Sequence, residues 1–293
     1  MLVTDGGTSL TPEDAFALLG NEHRAEIIRT LGDAQGTEGP RATLAFSELY
    51  DEADADVGSG QFNYHLQKLV GAFVEQTDAG YRLRHEAVTL YRTILAGTYT
   101  ERVSVDPFPV GVDCYHCGDP ITAEYTDRRF SIECRGCDQQ YSASTAPPSI
   151  VEDDRGAMLS RIDQYARRRI LAFSKGVCAI CANGLDTQML PGETVDFSGS
   201  ERLDVYVHRS CQHCGAQQYM SVGLSLLYDA ALVAFFKNTG RDITETPIWE
   251  LDFAMSDRYV DVHSRDPWRI EFTIERDGER FERTLDGEMH TLE

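Results

Sequence analysis

Eight cysteines set in four CxxC pairs constrain this chain of 293 residues more than any other feature. The pairs are Cys114-Tyr115-His116-Cys117, Cys134-Arg135-Gly136-Cys137, Cys178-Ala179-Ile180-Cys181 and Cys211-Gln212-His213-Cys214, and no cysteine is left over. A turn that presents two thiolates is half of a tetrahedral four-cysteine site, so four turns predict two structural zinc sites. The first two pairs stand 16 residues apart and the last two 29, spacings that leave room for strands between knuckles. Gly118 and Gly136, then Gly184 and Gly215, are the expected tight-turn residues. Sequential pairing of the motifs is simplest, and an interleaved pairing stays open. His116, His208 and His213 lie close by, but the even cysteine set leaves them beside the sites rather than in them. No thioredoxin-like βαβ pattern surrounds the pairs, which argues against redox use. No run of three or more close cysteines argues for an iron–sulfur cluster. Four thiolates leave no open position on zinc, so no catalysis is expected of these sites, and no nucleophile–base set or phosphate loop marks an enzyme elsewhere.

The formal net charge is −21, and of 27 basic residues only Lys68, Lys175 and Lys237 are lysine. In molar salt the Debye length falls to about 3 Å, and self-repulsion becomes tolerable. An acidic, lysine-poor chain with 42% hydrophobic residues is therefore expected of a halophilic, haloarchaeal-type cytoplasm. The start, MLVTDGGTSLTPED, has neither a basic stretch nor an apolar signal core, and no apolar run reaches membrane-spanning length. A cytoplasmic protein with no membrane partner is expected.

Residues 1–10 read as a flexible start. Thr11-Pro12-Glu13-Asp14 opens a helix with a cap, a proline and two acids. Asn21 caps a second helix, residues 32–42 read as loop, residues 43–46 as a short strand, and Ser47 as the cap of a short helix. A helix over 61–71 carries Phe62, Leu66 and Leu69 at i, i+4, i+7. Residues 73–76 and 81–84 flank an Asp78-Ala79-Gly80 turn as a β-hairpin. A helix over 86–95 follows, and Asp106-Pro107-Phe108-Pro109 reads as a linker. A connecting helix over 153–173, a strand over 218–222, a helix over 224–237 and a C-terminal antiparallel sheet complete the chain. The fold class is thus α+β and multidomain: residues 1–104, a winged helix-turn-helix; 105–150, a first zinc-ribbon-like module; 151–176, the connecting helix; and 177–293, a second such module with a helix and a small sheet.

The first hundred residues resemble the ArsR-type winged-helix regulators. Leu19-Gly20-Asn21-Glu22-His23-Arg24-Ala25-Glu26-Ile27-Ile28-Arg29-Thr30-Leu31 looks like that family's second helix, Phe62-Asn63-Tyr64-His65-Leu66-Gln67-Lys68-Leu69 like its recognition helix, and Gly80-Tyr81-Arg82-Leu83 like the close of its wing. The whole layout is similar to haloarchaeal ArsR-like regulators with zinc-binding extensions. The resemblance implies binding of double-stranded DNA and a homodimer through the first and last helices of the domain; Tyr91, Ile94 and Leu95 either belong to that shared face or pack internally, and the residues alone leave both open. A recognition helix needs an apolar stripe to dock and a polar face for the major groove. Ser59, Gln61, Asn63, Tyr64 and Lys68 fall on that polar face. Gln and Asn suit adenine edges, and Lys68 suits guanine or phosphate. Arg82 and Arg84 on the hairpin are candidates for backbone or minor-groove contact, and His65 reads as a packed helix residue. The family's metal sensors carry cysteines before the recognition helix, whereas this chain has Phe46-Ser47-Glu48-Leu49 there, so sensing of that kind is not expected.

Residues 1–105 hold 8 Lys+Arg against 16 Asp+Glu, the reverse of a DNA-binding footprint. Counterion release contributes little in molar salt, so base contacts and shape must carry recognition there. The alternative is a protein-binding adaptor. Winged helix plus zinc ribbon also resembles general transcription factor E, which contacts the transcription machinery. Arg161, Arg168 and Lys175, with the Arg167-Arg168-Arg169 triplet, form the densest basic cluster. They are read as a surface ion-pair face for Glu152, Asp153 and Asp154 in preference to a DNA contact.

Overall fold

The computed structural model describes residues 10–54, 56–196 and 203–292. The predicted flexible start, apart from Leu10, lies outside them. The chain is α+β with several small antiparallel sheets, and it divides into two compact units, residues 1–101 and 102–293. Among the described residues no helix is long and apolar enough to cross a membrane.

The first unit begins with α1 (Pro12–Leu19), where the Thr11 hydroxyl accepts from the Asp14 N–H at 3.1 Å. Asn21 caps α2 (Glu22–Glu38) by accepting from the Arg24 N–H. This helix runs through much of the predicted 32–42 loop. Glycine there costs about 1 kcal/mol of propensity, but a Cβ on Gly32 would stand 2.5 Å from the Tyr91 ring. The glycine lets that ring close on the helix, and the Tyr91 hydroxyl donates to Asp33 at 2.5 Å. Tyr91 is therefore an internal packing residue and not part of an outer face.

The predicted strand at 43–46 reduces to one bridge, Leu44 to Tyr81. The short helix α3 (Phe46–Glu52) begins before Ser47. Its cap is Ala45, whose N–H is taken by the Glu48 carboxylate at 2.7 Å, so the reaching-back acid replaces the expected serine. Next come α4 (Ser59–Leu69), the hairpin β1 (Val74–Thr77) and β2 (Gly80–Leu83), and α5 (His85–Leu95). Ile27, Leu49, Phe62, Leu66, Leu69 and Val74 are fully buried and close one core under these elements.

The second unit opens with a four-stranded antiparallel sheet in the order β3 (Val105–Asp113), β4 (Pro120–Thr126), β5 (Arg129–Cys134), β6 (Gln140–Thr145). The predicted linker at Asp106–Pro109 is instead part of β3. Proline cannot donate to a ladder, yet β3 is an edge strand with an irregular register, where a missing N–H is tolerated. The long helix α6 (Arg155–Ser174) is capped by Asp154. A three-stranded sheet follows: β7 (Asp186–Pro191), β8 (Val205–Ser210) and β9 (Gln217–Met220). The predicted helix over 224–237 is broken in two, α7 (Val222–Ser225) and α8 (Ala230–Asn238). The Asp229 carboxylate accepts from the Ala231 and Leu232 N–H groups at 2.9 Å and starts α8 afresh. After α9 (Asp252–Met255), the tail forms the expected antiparallel meander β10 (Val260–Arg265), β11 (Trp268–Arg276), β12 (Glu279–Leu285), turning at Asp277-Gly278.

One buried core joins these pieces, with Tyr125, Phe130, Phe173, Phe253 and Phe272 almost wholly removed from water. Burying each such ring contributes about 1.5–3 kcal/mol. Within this core lies an ion pair that the sequence reading places on the surface. Arg161 does meet Glu152 at 2.6 Å outside, but Arg167 turns inward to Asp163 at 2.6 Å, both almost wholly buried. Arg167 also donates to the Ile243 and Thr246 carbonyls, and the other Asp163 oxygen accepts from the Ile248 N–H at 2.9 Å. Every charged group thus has partners, and the pair ties residues 243–248 onto α6. Asp163→Asn or Arg167→Ala should each destabilise the second unit by about 3–5 kcal/mol in denaturant unfolding. A double-mutant cycle should return a coupling of about 1–3 kcal/mol, and simple additivity would refute the pairing.

Candidate metal centres

Each CxxC turn sits where the chain has to reverse. The first lies between β3 and β4, the second between β5 and β6, the third between α6 and β7, and the fourth between β8 and β9. All four knuckles repeat one backbone pattern. The first cysteine donates its N–H to the carbonyl five residues on: Cys114 to Asp119, Cys134 to Gln139, Cys178 to Asn183 and Cys211 to Ala216, at 2.8–2.9 Å. The residue after the second cysteine is left-handed in every case: Gly118 (φ 81°), Asp138 (φ 57°), Ala182 (φ 61°) and Gly215 (φ 73°). Gly118 and Gly215 thus do the work expected of them, whereas Gly136 and Gly184 do not. At Gly136 the need is room, since a Cβ would fall 1.8 Å from the Asp119 carboxylate.

The motifs pair sequentially. Cys114, Cys117, Cys134 and Cys137 form one cluster and Cys178, Cys181, Cys211 and Cys214 the other, with the four sulfurs of each within 4.8 Å of one another. In each pair the first cysteine is buried and the second is half-buried or exposed. Sulfur–sulfur approaches of 3.6 and 3.4 Å in the first cluster and 3.6 and 3.5 Å in the second are far beyond a disulfide bond of about 2.05 Å. A tetrahedral ion at about 2.3 Å from each sulfur sets edges of about 3.8 Å, so both cysteine sets fit a single metal ion.

Electrostatics point the same way. Burial works against the Cys114 thiolate, but hydrogen bonds from the Tyr141 hydroxyl and the Cys117 and His116 N–H groups outweigh it and bring the thiol down to about 6. Cys178 is brought to about 6 chiefly by the Cys181 N–H. Although the Asp119 N–H favours a thiolate at Cys117, its cysteine neighbours, Cys134 foremost, push that thiol up to about 12. Four adjacent sulfurs cannot all ionise unless a cation joins them. Tyr141 was not foreseen. It donates to Cys114 and accepts from the Tyr115 N–H at 3.1 Å, and Tyr115 in turn donates to the Met255 carbonyl, fastening the first knuckle to α9. No sequence signal marks such a contact.

Among the described residues no histidine joins either cluster. His208 is buried, stacks on Tyr219 at 4.5 Å and pairs with Gln188 at 3.0 Å.

The other predicted site residues fall in the first unit. On α4, Phe62, His65, Leu66 and Leu69 form the buried stripe, while Ser59, Gln61, Asn63, Tyr64 and Lys68 are exposed. Lys68 Nζ lies 5.4 Å over the Tyr64 ring. His65 is packed as expected, its ring 5.0 Å from His23, and burial lowers its pKa, helped by His23 and Arg24. Arg82 and Arg84 belong to the hairpin end and not to the α4 face. Arg82 holds Glu75, its cross-strand neighbour, at 2.9 Å, and Arg84 lies 3.7 Å from Glu86.

Ala182 is the one knuckle residue that bears a left-handed φ with an apolar side chain. Ala182→Gly should relieve that strain and stabilise the second unit by about 0.5–1 kcal/mol. A lowered denaturant midpoint would show that the left-handed turn is not populated.

Two family models match the chain. Residues 111–291 match the one described as Domain of unknown function (DUF7351), and residues 12–94 match the one described as Domain of unknown function (DUF7347). No curated protein and no solved structure matches it.

Proposed function

The chain belongs to the family described as Domain of unknown function (DUF7351), and we propose that it is a DNA-binding transcriptional regulator whose cysteine clusters hold structural zinc. The observation that carries the DNA reading is the exposed face of α4. Ser59, Gln61, Asn63, Tyr64 and Lys68 stand outward from a helix docked by a complete apolar stripe. The order of α1 to α5, with the hairpin between α4 and α5, supports reading the first unit as a winged helix-turn-helix of ArsR-like type. In this reading α4 enters the major groove. Gln61 and Asn63 pair with adenine edges, Lys68 meets guanine or phosphate, and the hairpin follows the backbone.

A homodimer fits large apolar side chains left in water on the two helices that the ArsR resemblance assigns to it. Phe16 on α1 is 76% exposed, Leu95 on α5 is 59% exposed, and Tyr99 just beyond is 71% exposed. The adaptor reading draws on the net acidity of residues 1–105, which suits a protein partner. It leaves the outward amides of α4 without a use.

Zinc suits two closed sets of four thiolates, and such sites leave no position for a reacting water. Metal binding at sites of this kind supplies about 10–16 kcal/mol of folding free energy. Elemental analysis of the purified chain should return about two zinc ions per molecule, and a chelator should unfold the second unit. Fewer than about one ion per chain would refute the two-site assignment.

The DNA reading is tested by capture of genomic fragments at molar potassium chloride. The chain should enrich a defined sequence. Replacing Gln61, Asn63 and Lys68 together by alanine should abolish that preference, each base contact being worth about 1–3 kcal/mol. Absence of any preference, or its persistence in the triple variant, would favour the adaptor.

A further inference from the structure

The arginines of the first unit are not spread over it. Residues 1–101 contain seven lysines and arginines, and four of them, Arg41, Arg82, Arg84 and Arg92, line one pocket of about 830 Å³. The pocket lies between α2, the hairpin and α5, with Gly32, Leu83 and Tyr91 among its walls, and no residue of α4 lines it. We propose that it binds an oxyanion, the phosphate or carboxylate group of a small molecule, at a place separate from the α4 face.

The charge balance carries the assignment. Among the described acids of residues 1–101 only Glu75 and Glu86 reach this pocket, and they are already engaged with Arg82 and Arg84. Arg41 and Arg92 have no ion-pair partner among the described residues. Like charges gathered in one concavity repel, and a chain with 48 acids and 27 bases could intersperse them at no cost. A bound anion supplies the missing negative charge. Guanidinium forks match the paired oxygens of phosphate and carboxylate, and they stay charged at any working pH. The first turn of α5 opens on the same space with no side-chain cap on its N–H groups, and this adds to the positive potential without defining the site. The inference does not depend on α4 binding DNA.

The test uses the full-length chain in potassium chloride, with ionic strength held constant, titrated by calorimetry with inorganic phosphate, with citrate and with a random-sequence duplex. Saturable binding of phosphate or citrate is expected, and whichever of the two binds more tightly identifies the source of the oxyanion. Arg41→Gln with Arg92→Gln should weaken it by about tenfold or more. Both side chains are exposed, so the double variant should keep the wild-type thermal midpoint without ligand. Should it nevertheless unfold, Arg41→Lys alone, which keeps the charge and removes the fork, should still weaken binding measurably. Lys68→Ala should leave anion binding unchanged. Binding that never saturates, that survives in the folded arginine variants, or that occurs only with the duplex and is lost in Lys68→Ala would overturn the proposal.

Discussion

Four sulfurs held within 4.8 Å of one another are the constraint on which the second unit depends. The backbone builds the clusters before any metal is considered, through N–H bonds across each turn and a left-handed residue closing it. Adjacent thiolates repel, and a cation among them would offset that repulsion. The clusters then tie strands that have little else in common. Each lies at one end of an antiparallel sheet: the first couples the turn between β3 and β4, and the second the turn that leads into β7, to a turn between the last two strands of its sheet. The internal repeat legible in the motifs is therefore also a repeat of topology: knuckle, strand, strand, knuckle, strand.

Around the clusters the core is ordinary in chemistry and continuous in extent. The modules at 105–150 and 177–293 and the helix between them share one apolar interior. The Asp163–Arg167 pair sits inside it because the polar atoms it does not bond to each other find partners on residues 243–248. That arrangement contributes positioning more than net stability, since burying two charges costs nearly what their attraction returns. The acidity of the chain is by contrast a property of its surface. The basic residues are few, and their placement is for that reason informative, as with the four arginines that converge between α2 and α5.

Much of the candidate site was legible in the residues. A CxxC pair carries its own geometry, since the turn needs only its own backbone, and sequential pairing follows the shortest loops. The buried stripe of α4 was legible because apolar side chains recur on one face whatever that face packs against. What was not legible came from partners distant in the chain. Residues 32–38 read as loop because their glycines oppose a helix, yet the Tyr91 ring holds them in one. Asp106–Pro109 read as a linker because proline opposes a ladder, yet an edge strand asks less of its N–H groups. Tyr141 carries no signal at all, because its role is defined only by the position of Cys114.

The sequence by itself determined the eight clustered cysteines, their division among four turns, the buried stripe of α4 and the order of elements that precedes the cysteines. These are local properties, set by spacing of a few residues and by backbone chemistry within one turn. Tertiary structure alone decided that Arg167 is interior while Arg161 is not, that Tyr91 packs against Gly32, and that Arg41 and Arg92 stand with Arg82 and Arg84. Such choices compare the solvation of a side chain with contacts offered by residues dozens of positions away, and no periodicity in the chain encodes that comparison.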